Sequence, residues 1–79
     1  MSDKREQYQN ALSEYGAQVA AGEIRSVEAQ AIILRRLLIE NGGIPSSLRM
    51  PLARVINGTE IPGSAADVVA FAEQILFER

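Results

Sequence analysis

The 79 residues contain no cysteine and no histidine, and this absence limits how so short a chain can hold a fold together. Neither a disulfide framework nor a zinc site built from histidine or cysteine is available, so an apolar core must supply the stability. Hydrophobic residues make up 47% of the chain, which is enough for a globular core and too much for a disordered segment. We therefore expect residues 1–79 to form one small domain.

Apolar spacing and stop residues predict an all-α fold, a compact bundle of about four helices. Tyr8, Leu12 and Tyr15 follow one another at helical spacing and form a narrow apolar stripe, which Gly22 ends. Such a thin stripe suits a helix that lies across the rest of the molecule or against a partner. The predicted helices span residues 2–21, 26–41, 51–57 and 64–78.

The second predicted helix, which Ser26 would cap and Gly42 would end, is apolar on more than one face. It must therefore be buried on two sides. The second side is covered either by the other helices of the chain or by a second copy. Because small domains without disulfides or structural metal sites often gain stability by self-association, we expect a homodimer, with a monomeric bundle as the alternative. The candidate interface residues are Ile33, Leu37 and Leu38.

Two prolines, Pro45 and Pro51, predict that no continuous helix crosses residues 44–51. Pro51 suits the first position of a short helix that Gly58 ends. Ser64 then resembles an N-cap, with Asp67 three residues later completing a capping box for the last helix.

The chain has few side chains that could act as a catalytic base or nucleophile. Without histidine or cysteine it lacks the usual general base near neutral pH and the thiolate nucleophile. Its carboxylates are dispersed, and no base lies near Ser46 and Ser47 in sequence to activate them. We therefore predict a protein that is not an enzyme and that has no catalytic residue, cofactor or metal ion.

Charge and hydropathy constrain the partner and the location. The formal net charge is −2, which disfavours non-specific nucleic-acid binding, although seven of the eight cations are arginine, a residue suited to ordered contacts. The polar N-terminal residues open no signal peptide, and no apolar run approaches the length of a membrane span. The expected location is the cytoplasm, with no membrane partner.

These observations favour a small helical regulatory protein that binds another protein, as an inhibitor, an anti-repressor or an adaptor. Its size is typical of regulators that phages and mobile elements encode. Tyrosine and arginine are common interface anchors, so the candidate partner-binding residues are Tyr8, Leu12, Tyr15, Arg35 and Arg36. The alternative for the two tyrosines is packing within the chain.

Residues 52–62 and the apolar helix after them resemble the end of a Cro/repressor-type helix-turn-helix domain, over about residues 52–76. The resemblance implies a DNA-binding transcriptional regulator, for which Arg49 and Arg54 are the candidate DNA contacts. The predicted connection before the match, residues 44–50, is longer than the tight turn of that family, so DNA binding is the second hypothesis. The matching residues are Arg54, Val55, Asn57, Gly58 and Pro62, and Ile56 departs from the usual acidic residue.

Overall fold

The structure is a computed structural model that describes residues 3–79, apart from the side chain of Pro62. It confirms the all-α prediction, because residues 3–79 contain helices and turns and no strand. None of the helices in this range combines the length and the apolar content needed to span a bilayer. The helices are α1 (Lys4–Glu14), α2 (Gly16–Ala20), α3 (Ser26–Glu40), α4 (Ser46–Ile56) and α5 (Pro62–Glu78).

The first predicted helix is in fact two helices, separated at Tyr15. The Tyr15 amide donates to the Leu12 carbonyl at 3.0 Å, one residue short of the α-helical partner, and Gly16 follows with its low helix propensity. Ser13 adds to the bend, since its hydroxyl donates to the Gln9 carbonyl at 3.0 Å. The predicted start at Ser2 lies outside the described residues.

The predicted helix stops at glycine are confirmed, and Gly58 shows why. Its φ is +72°, a backbone conformation that side chains with a Cβ rarely adopt. The Gly58 amide donates to the Val55 carbonyl at 3.1 Å, and the Thr59 amide donates to the Arg54 carbonyl at 2.9 Å. These two bonds form a complete Schellman motif that satisfies the last carbonyls of α4. Gly22 and Gly42 follow α2 and α3 with positive φ as well.

The predicted start of the third helix at residue 51 was wrong, because the corresponding helix, α4, begins at Ser46 and contains Pro51. Pro45 precedes the helix in an extended conformation, as a residue at the N-cap position can. Pro51 removes one hydrogen bond, the one that its amide would have donated to the Ser47 carbonyl. Ser47 is exposed, so water can satisfy that carbonyl.

Two predicted caps were also wrong. Ser26 is the first residue of α3 and Arg25 is its N-cap, without a side-chain capping bond. Instead, the Arg25 guanidinium pairs with Glu28 in the first turn at 2.6 Å. The last helix begins at Pro62, so Ser64 lies inside its first turn and does not cap it. Proline suits this position because a first-turn amide has no helical partner to lose.

The core lies around α3, which packs against α1, α4 and α5. Six of its fifteen residues are buried, on an arc that covers more than half of its circumference. Helices α1, α4 and α5 each contribute one buried stripe, whereas α2 has no buried residue. The principal core residues outside α3 are Tyr8, Ala11, Leu48, Leu52, Val55, Ala65, Val69, Ala72 and Leu76.

Charged side chains of α1 fasten it to the C-terminal end of α5. Lys4 donates to the Leu76 carbonyl at 3.2 Å and to the Arg79 carbonyl, near the C-terminal end of α5. The Arg5 guanidinium lies 4.6 Å from the centre of the Phe77 ring, a cation–π contact. Positive charge at the negative end of a helix dipole is stabilising, so Lys4 supports the α1–α5 contact.

Replacing Pro51 by alanine should stabilise the protein by about 1–2 kcal/mol, because the variant regains one helical hydrogen bond in the interior of α4. Urea denaturation followed by circular dichroism measures the change. The control is Pro45→Ala, which lies outside the helix and should cost up to about 1 kcal/mol through a more flexible unfolded state. A destabilised Pro51→Ala variant would indicate that the helix starts at Pro51.

Candidate functional site

A groove of about 460 Å³ runs between α3 and α4. Its floor reaches the core at Leu52, and five of its seven lining residues are apolar or glycine. Two arginines complete the lining, one from each helix. The lining residues are Arg35, Ile39, Gly43, Ile44, Arg49, Leu52 and Ala53.

The α3–α4 connection closes one end of this groove. Gly43 has a φ of +99°, which lets the chain reverse within residues 41–45. Arg79, beyond α5, holds the connection in place by donating to the carbonyls of Asn41 and Gly43, each at 2.8 Å. The same guanidinium places positive charge at the C-terminal end of α3.

Neither groove arginine is paired with another residue in the described part of the chain. Both side chains are on exposed residues, and among residues 3–79 neither Arg35 nor Arg49 has a hydrogen-bond or ion-pair partner. Arg25, in contrast, is paired with Glu28. The groove therefore combines an uncovered apolar floor with two cations that are available to an incoming carboxylate.

Ile39 is the most exposed of the large apolar groove residues, with 52% of its surface accessible. Ile44 beside it is half-buried against the core. On α3, Arg35 and Ile39 are one helical turn apart, and on α4 the same spacing separates Arg49 and Ala53. Each wall of the groove thus presents a cation one turn away from an apolar side chain.

The structure separates the two arginines that sequence analysis grouped as partner-binding residues. Consecutive residues on a helix point about 100° apart, so Arg35 faces the groove while Arg36 faces α1. Arg36 lines a shallow trough between α1 and α3, with polar residues that include Glu14 and Glu40. Arg35 is instead brought together with Arg49, which was a candidate for the DNA hypothesis.

The aromatic stripe on α1 faces inward. Tyr8 is 2% exposed, and its ring packs edge-on against Phe77 with the centroids 5.8 Å apart. Leu12 and Tyr15 are partly buried against the same core. These three residues therefore hold α1 to the bundle, which agrees with the alternative that the tyrosines pack within the chain. In this conformation Tyr8 offers no surface to a partner.

The three candidate interface residues of the predicted homodimer lie inside a single chain. Ile33, Leu37 and Leu38 are each at most 3% exposed. The other helices of the same chain cover the second apolar side of α3, so this side requires no second copy. A homodimer would have to use a different surface.

The second DNA candidate, Arg54, is exposed on α4, outside the groove. Because α4 begins at Ser46, only residues 41–45 connect it to α3, which is shorter than the connection predicted from the sequence. The exposed face of α4 also carries Ser46, Arg49 and Met50, the last with 63% of its surface accessible.

Sequence reasoning missed the apolar residues that remain exposed after folding. Ile39 lies in the apolar second predicted helix and Phe71 in the last one, yet Ile39 is 52% exposed and Phe71 is 47% exposed. A signal for Phe71 existed: it lies at helical spacing in a row of polar residues, between Asp67 and Gln74. No comparable signal separates Ile39 from its apolar neighbours.

No family model, curated protein or solved structure matches this chain. In the described residues no three acidic side chains converge as the ligands of a metal ion would. The groove between α3 and α4 and the surfaces around it form the candidate functional site.

Among the residues that the structure describes, the buried Tyr8 hydroxyl has no hydrogen-bond partner at normal length, although Glu73 and Gln30 lie close enough to affect its pKa. Removing it in Tyr8→Phe should leave the free energy of unfolding unchanged or raise it by up to about 1 kcal/mol. Tyr8→Ala should instead cost about 3–5 kcal/mol by opening a cavity. Urea denaturation distinguishes the two, and a loss of more than about 1 kcal/mol in Tyr8→Phe would show that the hydroxyl is bonded.

Burial, reinforced by the Glu73 carboxylate and opposed by Gln30, raises the pKa of Tyr8 well above that of a free tyrosine. The native state therefore holds this proton more tightly than the unfolded state does. Stability should fall as the pH rises past about 10, where the unfolded tyrosine ionises. The difference between wild type and Tyr8→Phe in denaturation midpoint isolates this effect, and an equal alkaline loss in both proteins would contradict it.

Proposed function

We propose that this protein is a non-enzymatic regulator that binds a helical segment of another protein in the groove between α3 and α4. The observation that carries the proposal is the combination of an exposed apolar floor with Arg35 and Arg49, two arginines that have no partner within residues 3–79. An amphipathic helix that docks in a groove buries its apolar residues and leaves polar residues at the rim. The rim here is positive, so the partner helix should be acidic on both sides of its apolar stripe.

Energetic considerations favour a protein ligand. Burying apolar surface against a partner makes the free energy of binding more favourable by about 25 cal/mol per Å². Ile39 and Ile44 are aliphatic side chains that supply such surface. Arginine forms bidentate pairs with carboxylates, which adds orientation to this non-directional attraction. Covering a partner's helix in this way would block it or bridge it to another protein, which is the action of an inhibitor or an adaptor.

DNA binding is a second candidate, and one observation favours it: α3 and α4 are packed helices joined by residues 41–45, and α4 exposes Arg49 and Arg54. Its weakness is the small number of cations. Affinity for DNA grows with the number of phosphates neutralised, and α4 contributes two arginines in a chain whose net charge is −2. The exposed Met50 between them suits a protein surface better than a phosphate backbone.

A synthetic amphipathic peptide with leucines at helical spacing and glutamates on both flanks should bind the intact protein, as measured by fluorescence anisotropy. Neutralising both groove arginines in Arg35→Gln/Arg49→Gln should weaken binding about tenfold or more, since each charge-assisted pair contributes roughly 1 kcal/mol. Added salt should weaken binding to the wild type and have little effect on the variant.

The matched control is Arg36→Gln/Arg54→Gln, which removes the same charge outside the groove and should bind the peptide as the wild type does. Ala53→Trp fills the groove without changing charge and should also abolish binding. If both double variants lost peptide binding equally, the effect would be one of net charge, which would contradict the proposal. A salt-dependent complex with a DNA duplex, lost in Arg54→Gln, would support the DNA candidate instead.

A further inference from the structure

The outer face of α5 carries a stripe whose chemistry complements the groove. Asp67, Phe71, Gln74 and Glu78 follow one another at steps of four, three and four residues, so they share one side of the helix, and all four are exposed. Phe71 is the large apolar residue of this stripe, with 47% of its surface accessible. The carboxylates of Asp67 and Glu78 lie on either side of it, about 6 Å and 10 Å along the helix axis.

The stripe cannot reach the groove of its own chain. The opposite side of α5 is the buried one, where Ala65, Val69, Ala72 and Leu76 pack against the core. Phe71 therefore points away from the molecule that carries it. Within residues 3–79, Asp67 has no hydrogen-bond or ion-pair partner, whereas Glu78 accepts a 3.3 Å hydrogen bond from Gln74.

We infer that the groove between α3 and α4 accepts the Phe71 stripe of a second copy of this chain, an inference that depends on the proposed binding function of the groove. Phe71 covers the apolar floor around Ile39 and Ile44. The spacing supports this arrangement, because each groove wall has an arginine one turn from an apolar residue and the stripe has Asp67 one turn from Phe71. Asp67 and Glu78 then face Arg35 and Arg49, which supplies both copies with the ion pairs that a single chain leaves unmade.

This contact is heterologous, since it joins two different surfaces. Two copies can satisfy both contacts in a closed pair, or each copy can pass the contact on to a further one. In either case a second copy occupies the site proposed for the partner helix. Self-association and partner binding therefore exclude each other, and the fraction of open grooves falls as the protein concentration rises.

Analytical ultracentrifugation of the intact protein over micromolar concentrations tests the inference. Wild type should self-associate, and Phe71→Ala should raise the dissociation constant about tenfold or more, as loss of an aromatic anchor does. The control is Ile61→Ala, which removes a residue that is 69% exposed but lies off the stripe, and which should self-associate like the wild type. The groove variant Arg35→Gln/Arg49→Gln should be as weakened as Phe71→Ala.

Mixing the two weakened proteins gives the most specific result. Phe71→Ala keeps an intact groove, and the groove variant keeps an intact stripe, so a mixture should restore one contact and form mixed dimers. If the copies instead met through the same residues on both sides, mixing the two variants would not restore the contact. Failure of mixing to restore it, or self-association that persists in either variant alone, would overturn the inference. The acidic peptide should dissociate the wild-type assembly by competing for the groove.

The outcome separates this inference from the function on which it depends. A wild-type protein that is monomeric at all concentrations but still binds the acidic peptide in the groove overturns self-association alone. A monomeric protein that binds no peptide overturns both. Self-association that survives Phe71→Ala contradicts the assigned surface, whatever the peptide does.

Discussion

The whole bundle is organised by the burial of α3 over more than half of its circumference. A chain of 79 residues without disulfides has to gather its apolar side chains around one element, and α3 is the helix with enough of them. Helices α1, α4 and α5 then need only one apolar stripe each, and that is what their sequences provide. Leu34 and Leu38, both fully buried, lie at the centre of this arrangement, so a polar residue at either position would remove the common surface against which the other helices pack.

The same arrangement explains why a groove remains. Three helices cannot cover the entire surface of a fourth, and the uncovered sector of α3 carries Arg35 and Ile39. Helix α4 approaches this sector from the side, because Gly43 turns the chain sharply and Arg79 fixes the turn through two carbonyls. Arg79 is thus a positioning residue for the groove as well as a cap for α3. At this end of the molecule, the contacts that stabilise the bundle also shape the proposed site.

The sequence predicted the features that depend on local backbone chemistry and missed those that depend on packing. Helix ends at Gly22, Gly42 and Gly58 follow from a conformation that glycine adopts easily, so they could be located without knowing the fold. The start of α4 could not, because a proline in the second turn is tolerable only where the carbonyl it leaves unpaired can meet water. Tyr8 and Arg35 show the same limit at the level of the site. Their residue types suggested interface anchors equally well, but packing buries the tyrosine and leaves the arginine exposed beside Arg49.

We propose above all that this protein meets a helical partner at the surface between α3 and α4. Amide chemical shifts recorded by two-dimensional NMR during titration with the acidic amphipathic peptide test it residue by residue. Saturable changes should concentrate at Arg35, Ile39, Gly43, Arg49 and Ala53, with little change at residues such as Gln9 on the outer side of α1. Changes that map instead to the trough around Arg36, or that spread over the molecule without saturating, would contradict the claim.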